Sequence, residues 1–251
     1  YCVPGDTATC DDPIAEWMFD ENQGTTVYDN TENSYDGTVD GASWSAGVHS
    51  SGLSFDGTDD YIETPAINYD NTGSYSFWFY PRSSGLEQWL ISPHSDAWLV
   101  NGERSYIRIL DTDNIGLGLG SIFLDSGISP NFNSWNYIGL TWDSGNYKMY
   151  LNGSLSDSGT YSGIANGGYQ MYIGVWKSDS ELNRYFDGLI DEVRIYDYAR
   201  TPAQVAWDYN RGKPVGHWKL DECSGTTAYD SSDNDMNGNI LIGSSGSQTT
   251  A

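Results

Sequence analysis

The chain repeats its own opening once, at an offset of 201 residues, and this limits what it can fold into. Trp17-Met-Phe-Asp20-Glu21-Asn-Gln-Gly24-Thr25-Thr26-Val-Tyr28-Asp29 returns as Trp218-Lys-Leu-Asp221-Glu222-Cys-Ser-Gly225-Thr226-Thr227-Ala-Tyr229-Asp230. The match continues without a gap through Asn33 and Gly37, which meet Asn234 and Gly238. Ten of the 22 positions from Glu16 to Gly37 are identical to their counterparts, too many for chance. A period of about 200 residues belongs to a whole domain, because solenoid units repeat every ~20–50 residues. The 251 residues therefore divide into an N-terminal segment (1–13), one domain (14–211), a linker (212–215) and the opening of a second copy (216–251). That stub is too short to build its own core. It is expected to be disordered, to pack on the first domain or to pair with another chain.

Within the first domain, alternating β-rich runs recur between turn residues. Ser74–Tyr80 ends at Pro81, and Tyr106–Leu110 ends at Asp111. Trp135–Trp142 leads through Asp143-Ser-Gly145 into Tyr147–Leu151, and Tyr169–Ile173 and Gly188–Tyr196 follow. In Ser74–Tyr80 the period of two puts Tyr75, Phe77 and Phe79 on one face and Trp78 and Tyr80 on the other. Asn152-Gly153 signals a two-residue hairpin turn, since both positions need positive φ. One helix is expected, opened by Thr201 as cap, Pro202 at its first position and Gln204 three residues after the cap, and closed by Gly212. The pattern predicts an all-β antiparallel sandwich with one short C-terminal helix.

These segments carry a resemblance. Phe186-Asp-Gly-Leu-Ile-Asp-Glu-Val-Arg-Ile-Tyr196-Asp-Tyr-Ala-Arg200-Thr-Pro resembles the closing motif of laminin G-like domains of the concanavalin A-like lectin/glucanase superfamily. Phe55-Asp-Gly-Thr-Asp-Asp-Tyr-Ile62, Phe77-Trp-Phe-Tyr-Pro81, Tyr150-Leu-Asn-Gly153 and the opening Trp17–Gly37 are similar to that family in the same order. The resemblance covers about residues 14–211. It implies a jelly-roll sandwich, often calcium-bearing, used outside the cell to bind glycans or proteins.

The charge supports the search for a cation. Asp and Glu number 35 against 11 Lys and Arg, a formal charge of -24, and 26 of the acids are Asp. Such a field repels phosphate backbones and disfavours anionic membrane surfaces, so neither nucleic-acid binding nor membrane insertion is expected. No apolar run reaches the ~20 residues needed to span a bilayer. Asp favours turns and loops, where calcium collects about six to eight oxygens from carboxylates and carbonyls. Asp20, Asp29, Asn33, Asp36 and Asp191 are the candidate ligands of a structural Ca²⁺. The resemblance implies that Asp29 and Asn33 meet Asp191, because in related domains the ion sits where the first strand's loop meets the last strand. The alternative is an Asx turn at Asp29 and Asn33 with Gly37 at positive φ. Asp230, Asp233, Asp235 and Asn237 are the second copy's candidates. Asp233–Gly238 fits the first positions of a calcium loop, but Ser244 replaces the bidentate Glu and no flanking helices are visible, which argues against an EF-hand.

Catalysis finds little footing. A glycosidase needs two carboxyls about 5–10 Å apart across the scissile bond, and the Glu-x-Asp-x-x-Glu triplet of glucanases in this superfamily is absent. Asp191 and Glu192 are adjacent, so regular strand geometry points them to opposite faces. His49, His94 and His217 stand in no triad or metal motif. Gly116-Leu-Gly-Leu-Gly120 lacks the Lys and the helix of a phosphate loop.

Binding remains. Trp176, in the polar loop Gly174–Ser180, is the leading ligand-binding candidate, with Trp98 and Arg108 behind it and Trp89 weaker; packing under a loop is the competing role for each. The expected function is a non-catalytic, calcium-stabilised adhesion or glycan-binding domain, secreted or on a cell surface. Its expected partner is a glycan or an extracellular protein. A filament building block that self-associates through residues 216–251 and an accessory module of a larger enzyme are the alternatives. Cys2 and Cys10 are spaced to close a small disulfide loop, which favours the extracellular setting, and Cys223 has no evident mate. No leader precedes Tyr1, as expected of a processed chain or a cut piece of a longer one.

Overall fold

The computed structural model describes residues 3, 7–69, 71–94, 105–162, 168–178, 181–210, 218–220, 222, 225–231 and 236–241. The chain divides into two compact units, Tyr1–Val205 and Ala206–Ala251.

The six strand signals named above all become strands. In chain order the strands are β1 (Ala15–Trp17), β2 (Thr26–Val27), β3 (Gly37–Asp40), β4 (Ser43–Ala46), β5 (Ser51–Asp56), β6 (Tyr61–Ile67) and β7 (Thr72–Pro81). There follow β8 (Gln88–Pro93), β9 (Ser105–Ile109), β10 (Ile115–Leu119), β11 (Ile122–Asp125), β12 (Asn136–Asp143), β13 (Asn146–Leu151) and β14 (Ser154–Thr160). The last in the first unit are β15 (Tyr169–Ile173), β16 (Trp176–Lys177), β17 (Leu182–Asn183) and β18 (Asp187–Tyr196). The helix α1 (Pro202–Tyr209) comes next, and β19 (Thr227–Ala228) and β20 (Gly238–Asn239) form a two-stranded sheet of their own in the second unit.

Two antiparallel sheets make the sandwich. One runs β14-β13-β12-β7-β18-β5-β4, with β1 also on β18; the other runs β11-β10-β9-β8-β15-β6-β3-β2. Their facing sides supply one core. Tyr75, Phe77 and Phe79 of β7 lie in it, with Ile138, Leu140 and Trp142 of β12 and Ile107, Ile109, Ile115 and Leu117 of the other sheet. Trp78 points the other way and packs edge-on against Tyr137, ring centroids 5.4 Å apart, as strand alternation requires.

The turn and cap signals hold in detail. Asn152 (φ 51°) and Gly153 (φ 77°) join β13 to β14. Thr201 Oγ1 accepts the Gln204 N–H at 3.2 Å and Gln204 Oε1 accepts the Thr201 N–H at 2.9 Å, a reciprocal capping box. No helix among the described residues is long and apolar enough to cross a membrane. Cys10 is disulfide-bonded; Cys2, Cys223 and the linker 212–215 lie outside the described residues.

β18 positions everything else. On one side it pairs with β7 along its length. On the other it serves two strands in succession, β5 against Asp187–Ile190 and β1 against Val193–Ile195. Between those two partners its register against β7 shifts, and Glu192 takes φ 52°. A strand pairing with different neighbours above and below needs such a bulge to stay flush with both.

Candidate functional site

The bulge brings Asp191 and Glu192 onto one residue. The Val48 and His49 N–H groups donate to Asp191 Oδ2 at 2.8 and 3.1 Å, and the Glu192 N–H donates to Asp191 Oδ1 at 2.8 Å. Glu192 Oε1 lies 3.6 Å from His49 Nε2. The expected opposite-face arrangement assumed an unbroken strand; the bulge removes it. Arg194 then joins Glu192 (3.1 Å) to Glu16 on β1 (2.7 Å). Asp191 is fully buried, and burial, aided by the charge of Glu192, pushes its carboxyl up to about 7 against the pull of three backbone N–H groups.

Gly47 gives this junction its shape. A Cβ there would collide with Asp191 Oδ2 and the Ser51 carbonyl, and all three oxygens of Asp191 Oδ2, Ser51 O and His49 O lie within 2.7 Å of the point it would occupy. One carboxylate oxygen and two carbonyls thus converge on a cradle closed by the Gly47 Cα, a close approach that only glycine permits. Asp20 belongs to the same loop system, with its Oδ1 accepting the Ser51 N–H at 3.3 Å.

The other candidates have different company. Asp29 Oδ1 accepts the N–H groups of Glu16 and Thr31, both at 3.0 Å, and Oδ2 accepts the Thr31 hydroxyl at 2.7 Å and the Tyr35 N–H at 2.9 Å. Four donors fill this carboxylate, so it organises the turn, and Asp36 Oδ1 holds the Asp29 N–H at 2.9 Å. Asn33 spends its amide on the Ile14 carbonyl at 3.0 Å. Asp29 and Asn33 therefore bond to their own turn and to Ile14 and Glu16, Asp191 to Val48 and His49, and Asp20 to Ser51; Asp29 reaches Asp191 indirectly, through Glu16, Arg194 and Glu192. Gly37 does not take the expected positive φ; its smallness lets it lie against Val27 and Ile62. In the second unit Asp230 and Asn237 bond each other as Asp29 and Asp36 do, the Asp230 N–H reaching Asn237 Oδ1 at 2.9 Å. Asp233 and Asp235 lie outside the described residues. A third acidic group, Asp56, Asp59 and Asp60, has ligand atoms within 4.8 Å of one another. Burial raises the Asp60 carboxyl above its ordinary value.

Aromatic candidates gather on the outer face of the second sheet. The register puts Trp89 opposite Arg108, Arg108 opposite Gly116, and Tyr106 opposite Gly118, which Phe123 faces from the far side. A Cβ at Gly118 would strike the Tyr106 ring, so this glycine lets the ring lie flat, while a Cβ at Gly116 would press on Leu110 and Arg108. Trp89 stands 4.4 Å from Tyr106 and 6.4 Å from Trp176, centroid to centroid. The Arg108 guanidinium lies 5.4 Å from the Trp89 ring centroid, and that of Arg184 lies 5.0 Å from the Trp176 centroid. Glu87 pairs with Arg108 and, at 2.9 Å, with Arg184, and accepts the Trp89 indole N–H at 3.1 Å. Burial works to raise the Glu87 carboxyl, but the two arginines outweigh it and hold it below its usual value.

Trp89 and Tyr106 are buried and form the floor; Trp176 is half-buried and Phe123 exposed. Trp98 lies outside the described residues. Beside Arg184 opens a groove of about 400 Å³, lined by Leu86, Glu87, Asn183, Arg184, Tyr185 and Asp187. Sequence reading missed Glu87, Tyr106, Phe123 and Arg184. Only the strand alternation of Tyr106 and Arg108 and the paired glycines opposite them carried a signal.

Residues 56–206 match a laminin G family model described as the concanavalin A-like lectin/glucanases superfamily, more than half of the chain. The chain is a laminin G-like domain of that superfamily. The laminin G-like fold is shared with domain 4 of AbnA, a GH43 extracellular arabinanase from Geobacillus stearothermophilus, solved in complex with arabinotriose. That likeness has TM-score 0.64 and 24% identity, and covers 79% of this chain and 98% of that one. The binding domain of Paraclostridial Mosquitocidal Protein 1 aligns with TM-score 0.63 and 16% identity over 82% of this chain and 56% of its own. A sequence relative is the Rattus norvegicus sushi, von Willebrand factor type A, EGF and pentraxin domain-containing protein 1. It is 32% identical over 87 residues, 31% of this laminin G-like domain's chain and 2% of the relative's own length.

Proposed function

We propose that this chain is a non-catalytic extracellular glycan-binding module braced by calcium. The observation that carries the reading is the groove beside Arg184. Leu86 and Tyr185 give it apolar faces and Glu87, Asn183, Arg184 and Asp187 give it fixed polar groups, the mixture that a sugar needs, and Trp176, outside the lining, carries the Arg184 guanidinium on its ring. The arabinotriose complex of the AbnA domain and the binding role named for the toxin domain support it. The disulfide at Cys10 supports the extracellular setting. Asp191 and Glu192, the buried adjacent carboxyls, lie under the loop at Val48 and His49, in keeping with a binding role.

The calcium reading rests on the Gly47 cradle. Asp191, Asp20 and the carbonyls of His49 and Ser51 would hold the ion, a hard oxygen set of the kind calcium takes. Bound there, it would tie the loop after β4 to the bulge of β18.

The test is calorimetric titration of the full chain with arabino-oligosaccharides and then with a broad panel of neutral glycans. Binding is expected to one class, weakened at least tenfold in Trp176→Ala and in Arg184→Ala with the fold intact. No binding across the panel, or binding indifferent to both substitutions, overturns the reading.

A further inference from the structure

A second groove opens on the outer face of the second sheet. It measures about 400 Å³ and crosses β3, β6 and β15, with Thr38, Asp40, Tyr61, Glu63 and Gln170 among its walls. Strand register sets these residues side by side. Glu63 stands opposite Thr38 on one flank and Tyr172 on the other, and Tyr61 stands opposite Asp40. Alternation turns them to the outer face, while Val39 and Ile62 between them enter the core.

The groove is furnished for a sugar. The Tyr61 and Tyr172 ring centroids lie 6.3 Å apart, and Tyr172 is buried while Tyr61 is half-buried. The polar groups beside them are fixed in advance. The Tyr61 hydroxyl donates to Asp40 Oδ2 at 2.8 Å, and the Gln170 amide donates to Glu63 Oε1 at 2.7 Å. A ring covers the apolar face of a sugar, carboxylates accept its hydroxyls, and groups already in position cost little to order.

This groove adjoins the one beside Arg184. Asp56 and Gly57, at the end of β5, line the first; Tyr61, at the start of β6, lines the second. One tight turn separates them, closed by the Asp56 N–H donating to Asp60 Oδ2 at 2.8 Å. Their tyrosines feel each other across it. Burial raises the hydroxyl of Tyr185, in the wall of the first groove, and the charges of Asp59 and Asp40 add to the effect. Burial likewise pushes Tyr61 up to about 12, helped by Asp40, Glu63 and Tyr185.

Charge decides which chains suit such a surface. Asp36, Asp40 and Glu63 line one groove and Asp56, Glu87 and Asp187 the other. Among the described lining residues Arg184 is the one cation, and Glu87 pairs with it at 2.9 Å. A chain of uronic or sulfated sugars would meet like charge along its length, which opposes binding.

We propose that the two grooves form one track that takes several consecutive sugars of a linear, uncharged polysaccharide, with Tyr61 as a stacking platform beyond Arg184. The inference rests on the glycan reading and adds length and charge to it.

Calorimetric titration of the full chain with linear arabino-, xylo-, manno- and gluco-oligosaccharides, each from disaccharide to hexasaccharide, tests it. In the series that binds, the hexasaccharide is expected to bind at least tenfold more tightly than the disaccharide. Tyr61→Ala is expected to remove that gain and leave the disaccharide's affinity as it was. Gln170→Ala, at an exposed position, is expected to shrink the gain at least threefold with the thermal melt unchanged. A hexasaccharide of galacturonate is expected not to bind. Affinity that does not grow with length, or a gain that survives both substitutions, overturns the track and leaves the groove beside Arg184 standing. Galacturonate binding as tightly as the neutral chain overturns the selection by charge. No binding at any length overturns the glycan reading and this inference with it.

Discussion

Asp191 shows how a single carboxyl can read the medium. Its ordinary value is 3.8, and in the fold burial moves it to about 7. A raised acid favours folding fully below the unfolded value and loses that contribution as pH rises towards the folded one. In chelator, then, stability is expected to fall between about pH 4 and 7, by at most about 1.4 kcal/mol per pH unit from this group. Calcium at the cradle would act in the opposite direction, since it needs the carboxylate that burial resists. Thermal melts check both halves together. The calcium-dependent rise in Tm should be larger at pH 8 than at pH 5, and Asp191→Asn should flatten the slope seen in chelator. Gly47→Ala, which fills the cradle, should remove the calcium shift at either pH. A calcium shift that survives Gly47→Ala would place the ion elsewhere. None of this was visible in the sequence. Asp29 and Asp191 look alike there, each an Asp in a polar loop or strand; only the fold gives one of them four donors and buries the other with three backbone N–H groups beside Gly47.

At the scale of the element, the legible parts were those governed by neighbours in sequence. The β7 alternation, the Asn152-Gly153 turn and the Thr201 cap each follow from a few consecutive residues, and each stands as read. Gln204 goes further than a cap, because its amide also donates to the Thr9 carbonyl at 2.6 Å while it lies fully buried. Gln204→Ala should therefore cost more than the ~1 kcal/mol typical of a lost cap, on the order of 2 kcal/mol, measured as a shift in the denaturation midpoint. A loss below about 0.5 kcal/mol would mean water replaces both bonds. What was not legible is the bulge in β18. It arises because β5 and β1 meet that strand end to end, and no local pattern around Glu192 announces a change between partners that lie far back in the chain, Leu53 opposite Ile190 and Trp17 opposite Val193. The convergence of Glu87, Arg108, Arg184 and Trp176 is hidden for the same reason, being assembled from β8, β9 and the β16–β17 hairpin.

Across the whole molecule, the jelly-roll class could be read from strand count and motif order, whereas the compact units divide at Val205, before the boundary at 211 that the 201-residue period suggested. The centre of the first sheet could not, because it is the last strand. β18 holds β7 on one side and β5 and β1 on the other, so three strands made earlier wait for it. A chain ending at residue 186 should accordingly show no cooperative melt, whereas one ending at residue 210 should melt as the full chain does. A cooperative transition in the shorter chain would show that the sandwich closes without β18. For a protein growing from its N-terminus, this topology sets an order of events. Nearly two hundred residues must leave the ribosome before the opening strand finds its place, and until then Trp17, Phe55 and Phe77 have no shelter. The strand order thus makes birth, more than unfolding, the time when this chain is most open to wrong company, and a chaperone is best placed to guard it then.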